Sequence, residues 1–156
     1  MRILLAVDGS PCSDAAVDEV AARPWPADSE LRIVSAFEVT LSPTPEPWAI
    51  QPGYYGEIEE AVRQQTQNVV DATAAKLKTA LGQPLNITCQ VLVGSAQSAI
   101  LEEAEHWKSD LIVVGCHGYG TWRRLVLGSV SQAIVLHAKC SVEVVRRCDG
   151  KEVQAA

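Results

Sequence analysis

Five short apolar runs alternate with helical patterns along this chain, and that alternation restricts the fold more than any other feature. The strand segments are Arg2-Ile3-Leu4-Leu5-Ala6-Val7, Leu31 to Phe37, Asn86 to Val93, Asp110 to Gly115 and Ser141 to Arg146. Continuous apolar character, as in the first and fourth, suits strands buried on both faces of a parallel sheet. Asn86 to Val93 alternates instead, through Ile87, Cys89, Val91 and Val93, which predicts a strand nearer an edge. Between the strands lie helix signals. Ser10 then Pro11 reads as an N-cap and first helical position, followed by an apolar stripe of Ala16, Val17, Val20 and Ala21 and stopped by Pro24 and Pro26. Glu57 to Leu81 carries Ile58, Val62, Val69, Ala72 and Leu77 near helical spacing, ended by Gly82 and Pro84. Ser95 caps a helix with Ala96, Ile100, Ala104 and Trp107 on one face, and Gly128-Ser129 opens another with Val130, Ala133 and Ile134 toward the core. The order β-α-β-α-β-α-β-α-β predicts an α/β fold: a doubly wound, five-stranded parallel sheet with helices on both faces. Parallel neighbours need crossover connections, and these are right-handed.

With 156 residues the chain can cover both faces of such a sheet. No internal repeat or domain boundary shows, so residues 1–147 are expected to form a single domain and residues 148–156 a C-terminal tail. The prolines at 43, 45, 47 and 52 punctuate a long connection from Ser42 to Gly56, and connections of that length are often functional.

Charge and cysteine usage narrow the partners. The net charge of −6, with basic residues scattered apart from the pairs Arg123-Arg124 and Arg146-Arg147, argues against a nucleic-acid backbone as partner. No apolar run reaches the roughly 18 residues that span a bilayer. The opening Met1-Arg2-Ile3 enters a strand with no room for a signal peptide, so a cytoplasmic location and no membrane partner are expected. The five cysteines, at 12, 89, 116, 140 and 148, include no CxxC pair, which fits reduced thiols rather than a zinc or disulfide framework.

Ligands of doubly wound sheets sit beyond the carboxyl ends of the strands, where the strand order reverses. Near those ends the dinucleotide fingerprint GxGxxG is absent, because Gly118-Tyr119-Gly120-Thr121-Trp122-Arg123 lacks the third glycine. The GxxxxGK[ST] loop is absent too. What stands there is Gly115-Cys116-His117-Gly118, nine residues, then Gly128-Ser129. Gly115 at a strand end allows a nucleotide close to the backbone, and Gly118 can turn the chain at positive φ. The helix opened by Gly128 and Ser129 offers N–H groups and a dipole to an anion. The hydroxyls of Ser129 and Ser131 can add hydrogen bonds to phosphate oxygens. The pattern points to a phosphate site without a lysine.

These same residues resemble the ATP-binding branch of the universal stress protein family, whose signature is G-x2-G-x9-G-[ST]. The matching segments are Val113 to Gly118 and Leu127 to Ser131, with Ala6-Val7-Asp8-Gly9-Ser10 at the start and Cys140 to Val145 at the end. The resemblance covers about residues 2 to 147. Cys116 stands where the family often has serine, and Ser141 where proline is common before the last strand. It implies strand order 3-2-1-4-5, with Asp8 and the backbone of Ala6 and Val7 facing an adenosine whose base Ala36 lines. It further implies that Val114, Gly115, His117 and Gly118 flank the ribose and phosphates. Gly128, Ser129, Val130 and Ser131 hold the phosphate tail of ATP, usually with Mg²⁺ or Mn²⁺. Finally, it implies a homodimer in which two copies of Val142 to Val145 pair across a two-fold axis.

Several of these residues have a second reading. Asp8 suits an Asx-type cap of the first turn. His117 fits backbone contacts better than proton donation, His137 suits the carbonyls at a helix end, and His106 is a surface residue. Arg123 and Arg124 either reach the phosphates or form a solvated pair. Trp48 and Tyr54-Tyr55 either cover an adenine or pack on the domain. No carboxylate lies between Gly115 and Ser131, and an ATP-consuming enzyme needs a positioned base. A regulatory module acting in stress response through nucleotide occupancy is therefore favoured over its alternative, a slow ATPase or phosphotransferase. A redox protein using Cys116 requires a depressed thiol pKa.

Overall fold

A computed structural model describes residues 1–38, 54–81, 85–116 and 127–146. Its elements, in chain order, are β1 (Arg2–Ala6), α1 (Pro11–Ala22), β2 (Glu30–Phe37), α2 (Tyr54–Ala80), β3 (Asn86–Val93), α3 (Ala96–Trp107), β4 (Leu111–Gly115), α4 (Ser129–His137) and β5 (Ser141–Val145). The five strands form one sheet in the order β3-β2-β1-β4-β5. Every neighbouring pair is parallel. The doubly wound fold and its strand order are as the sequence leads one to expect.

Alternate residues of each inner strand feed two separate cores. Ile3, Leu5 and Val7 of the first segment, Leu31 and Ile33 of β2 and Leu111 and Val113 of β4 meet α1 and α2 on one face. Leu4 and Ala6, Val34, and Ile112 and Val114 meet α3 and α4 on the other. A strand buried on both sides has little face left for polar residues, which is why β1 after Arg2 and β4 read as unbroken apolar runs, while β2 admits Arg32 and Ser35. Fully burying one such Leu, Ile or Val is worth about 1.5–3 kcal/mol, and Ile3, Leu4, Leu5, Leu31, Ile33 and Ile112 all have no exposed surface.

The helices follow their signals with three departures. α1 starts at Pro11 behind Ser10, whose Oγ accepts a hydrogen bond from the Ser13 N–H. α2 begins at Tyr54, three residues before Glu57, and its buried stripe is Thr66, Val70, Ala74 and Leu77. Ala72, expected on that stripe, is exposed. Ser95 occupies the N-cap of α3, but its side chain makes no capping bond. β3 lies at a sheet edge as expected, yet it is Leu92 that is buried while Val93 is 70% exposed. Ile87 and Val91 pack on the core shared with α1 and α2, while Leu92 turns to the opposite core with Ile100 and Ala104. Most of the proline-punctuated connection, Gly82 and Pro84, Arg123 and Arg124, and the tail lie outside the described residues.

Candidate functional site

The chain winds from β1 outward through β2 to β3, then returns to the other side of β1 for β4 and β5. The reversal therefore falls between β1 and β4, and the crevice it opens lies beyond their carboxyl ends. Ala6 is registered against Val114 across that boundary. Ala36 follows two residues after Val34, the β2 partner of Ala6, so it reaches past the end of β1. Ala6, Ala36, Val114 and Val130 all belong to the core layer shared with α3 and α4. Val7 points into the opposite layer, and its N–H donates to Val34 O at 2.9 Å.

The turn after β1 is built on local hydrogen bonds. Asp8 Oδ1 accepts from the Ser10 N–H at 2.9 Å, and the Asp8 N–H donates to Ser13 Oγ at 3.2 Å. Gly9, between them, takes φ +78°, a conformation in which a Cβ is strained. Asp8 thus serves as the Asx-type cap. The residue is also exposed at the crevice.

Gly115 has a different reason from the one its sequence context suggests. A Cβ there would lie 2.6 Å from the Cys12 carbonyl carbon, 2.7 Å from its oxygen and 2.8 Å from the Ser13 nitrogen. The close approach that this glycine permits is that of the first turn of α1, from the side of the protein rather than of a ligand. Cys12 and Ser13 escape sequence reasoning; the spacing of Ser13 three residues after the N-cap was the available signal.

Across the crevice, Gly128 is the N-cap of α4, and its N–H donates to Cys116 O at 2.8 Å. Ser131 is buried, and its hydroxyl donates to Cys116 O and Gly128 O, each at 3.0 Å. That bonding turns the Ser131 hydroxyl inward and corrects the expectation that it bonds a phosphate. Ser129 is exposed, and the N-cap Gly128 has no side chain with which to cap α4. The first-turn amides of a helix have no intrahelical acceptors, so the open end of α4 presents N–H donors and a positive dipole end. Cys116 is buried, and burial together with the Cys12 thiol pushes its pKa up, which is contrary to a depressed, nucleophilic thiol. His137 and His106 are exposed in the last turns of α4 and α3. His117, Gly118 and Trp48 lie outside the described residues, as do the side chains of Tyr54 and Tyr55.

A family model described as the universal stress protein family matches residues 1–146. The chain belongs to the universal stress protein family. Among its relatives, the universal stress protein in QAH/OAS sulfhydrylase 3′ region of Thermus aquaticus is 34% identical over 146 residues, covering 92% of this chain and 97% of that protein. The solved structure of universal stress protein UspA from Lactobacillus plantarum is similar at TM-score 0.75 and 25% identity, over 94% of this chain and 97% of the other. A universal stress protein family structure from Arabidopsis thaliana, with AMP bound, shares the fold at TM-score 0.67 and 16% identity, over 99% of this chain and 97% of that one. These likenesses cover the β1–β4 boundary on which the candidate site stands.

Proposed function

We propose that this universal stress protein binds an adenine nucleotide, ATP before others, in the crevice between β1 and β4, and that occupancy rather than turnover carries its role in stress response. The observation that carries the reading is the N-terminal turn of α4, which follows β4 at the reversal of strand order behind a glycine N-cap. It offers Ser129, Val130 and Ser131 amides to phosphates, with Gly128 beside them and Ala6, Ala36 and Val114 forming an apolar wall. In this reading Asp8 and the backbone of Ala6 and Val7 stand on the adenosine side, and the family resemblance assigns the backbone of Gly115, with His117 and Gly118, to the ribose and phosphates. The AMP-bound Arabidopsis thaliana relative supports an adenine nucleotide as the ligand class. Among the described residues no three His, Cys, Asp or Glu side chains gather as a metal set, so Mg²⁺ or Mn²⁺ would enter mainly through the phosphates.

The same reading takes residues 1–147 as one cytoplasmic nucleotide-binding domain that pairs as a homodimer. No described helix is long and apolar enough to cross a membrane. Amides that bind ground and transition state alike do not accelerate chemistry, so hydrolysis is expected well below the roughly 1 s⁻¹ at the low end of typical enzymes.

Calorimetric titration with ATP and Mg²⁺ tests the site. A dissociation constant between millimolar and micromolar is expected, on the order of −4 to −8 kcal/mol. Gly118→Val should weaken binding while leaving the far-ultraviolet dichroism and thermal midpoint in place. Equal ATP affinity in the two well-folded proteins would sink the proposal, and fast single-turnover release of phosphate would replace the module with an enzyme.

A further inference from the structure

Two thiols meet where Gly115 lets helix and strand touch. Cys12 is the second residue of α1 and Cys116 directly follows β4. They are 104 positions apart in sequence, yet the Cys116 thiol donates to Cys12 Sγ at 3.5 Å. We propose that Cys12 and Cys116 form an oxidisable dithiol that peroxide closes to an intramolecular disulfide, tying the first turn of α1 to the end of β4.

The geometry makes the bond accessible from the reduced fold. A disulfide needs its sulfurs at about 2.05 Å, so the pair must close by about 1.5 Å from the observed 3.5 Å. The backbones are already in contact, since a Cβ on Gly115 would fall 2.6 Å from the Cys12 carbonyl carbon. Side-chain rotation therefore has little distance left to cover. Cys89 lies on edge strand β3 and Cys140 precedes β5, so each occupies a different element from this pair.

The two sulfurs are not equivalent. Cys12 is half-buried and meets solvent, whereas Cys116 is 6% exposed. The Cys12 thiolate attacks one oxygen of hydrogen peroxide, the O–O bond breaks, and a sulfenic acid and hydroxide result. The Cys116 sulfur then attacks the sulfenic sulfur, the S–O bond breaks, and the departing oxygen leaves as water with the Cys116 proton. Two thiols and one peroxide give one disulfide and two waters. Burial raises the pKa of Cys116 and disfavours its thiolate, so the more exposed Cys12 meets peroxide first and Cys116 must give up its proton as it attacks the sulfenic sulfur 3.5 Å away.

The bond would also lie between the Asp8–Ser13 turn and the Cys116 carbonyl that anchors Gly128 and Ser131. An oxidant would thus fix the spacing of both segments beside the candidate site. The dithiol goes beyond the nucleotide reading and does not rest on it.

The test uses the full chain with Cys89, Cys140 and Cys148 replaced by serine, reduced and then exposed to hydrogen peroxide. Non-reducing mass spectrometry should show loss of two hydrogens and a crosslinked peptide containing Cys12 and Cys116, in protein that stays folded. With Cys116→Ser added, dimedone should instead trap a sulfenic acid on Cys12. With Cys12→Ser, oxidation of Cys116 should slow on the order of tenfold. Peptide mapping of the unsubstituted chain guards against misfolding of the serine background and should show the same crosslink. Absence of the crosslink from the folded protein, or its formation only in urea, overturns the proposal.

Discussion

At Gly115 a methyl group would collide with three backbone atoms of Cys12 and Ser13, the nearest at 2.6 Å. Backbone cannot rotate away as a side chain can, so Gly115→Ala must push α1 from β4. Overpacking of that kind costs about 1–3 kcal/mol, and a urea midpoint lowered with an unchanged slope is the expected result. Ser131 gives the opposite case. Its hydroxyl bonds Cys116 O and Gly128 O, but those carbonyls also receive the Gly128 and Gln132 N–H groups. Ser131→Ala therefore orphans neither acceptor and should cost about 1 kcal/mol, with ATP affinity nearly unchanged if the amides, not this hydroxyl, hold the phosphates. Both residues were picked out by the glycine-serine pattern of the sequence. That pattern reveals where backbone must come close or a hydroxyl must sit, but not which atom lies opposite: Gly115 meets Cys12 from the start of the chain, and Ser131 meets the Cys116 carbonyl 15 positions earlier.

Between elements, the sharpest polar contact joins β2, β3 and α3. Arg32 ion-pairs with Glu103 and lies over the Trp107 ring at 4.4 Å to its centroid. Gln90 of β3 donates to the other Glu103 oxygen at 3.3 Å. Glu103 is 8% exposed, on a helix whose sequence suggested only Ala96, Ile100, Ala104 and Trp107 as the inward face. A carboxylate is almost never fully buried without a partner, and the partner here sits on a strand 71 residues earlier, so helical periodicity could not reveal it. Removing Glu103 leaves a partly buried guanidinium on the Trp107 ring. The side chain of Arg32 keeps 21% exposure, so Glu103→Ala should cost about 2 kcal/mol, short of the 3–5 kcal/mol of a fully buried pair. The double variant Arg32→Met, Glu103→Leu should regain most of that loss. Chemical denaturation of the single and double variants decides the matter, and a double variant as unstable as Glu103→Ala would show that packing around α3, not the stranded charge, sets the cost.

At the scale of the molecule, the winding of the sheet was legible because strands alternate with helices and two-sided burial writes itself into the composition of β1 and β4. What lies beyond the edge strands was not, since a lone sequence carries no trace of a second copy. The strand order leaves β3 and β5 at the two edges, and edges with unpaired backbone groups invite another strand. Along β3 polar residues intervene at Asn86, Thr88 and Gln90. β5 reads Ser141-Val142-Glu143-Val144-Val145. Glu143 is held by Arg23 at 2.7 Å, which leaves Val142, Val144 and Val145 after the exposed Ser141. Next to it, α4 exposes Val135 by 47% and Leu136 by 68%. An edge strand beside exposed apolar side chains is the better place for the proposed dimer to bury surface. At roughly 50 micromolar the chain should sediment as a dimer, since a dissociation constant near 1 micromolar corresponds to about −8 kcal/mol. Leu136 is exposed in the monomer, so Leu136→Glu should leave the thermal unfolding of the isolated chain nearly unchanged. In the dimer it would bury a charge in place of a leucine worth about 1.5–3 kcal/mol, loosening association tenfold or more by the roughly 1.4 kcal/mol per decade of affinity. A wild-type monomer at that concentration removes the dimer from the reading, while a dimer indifferent to Leu136→Glu moves its interface off α4.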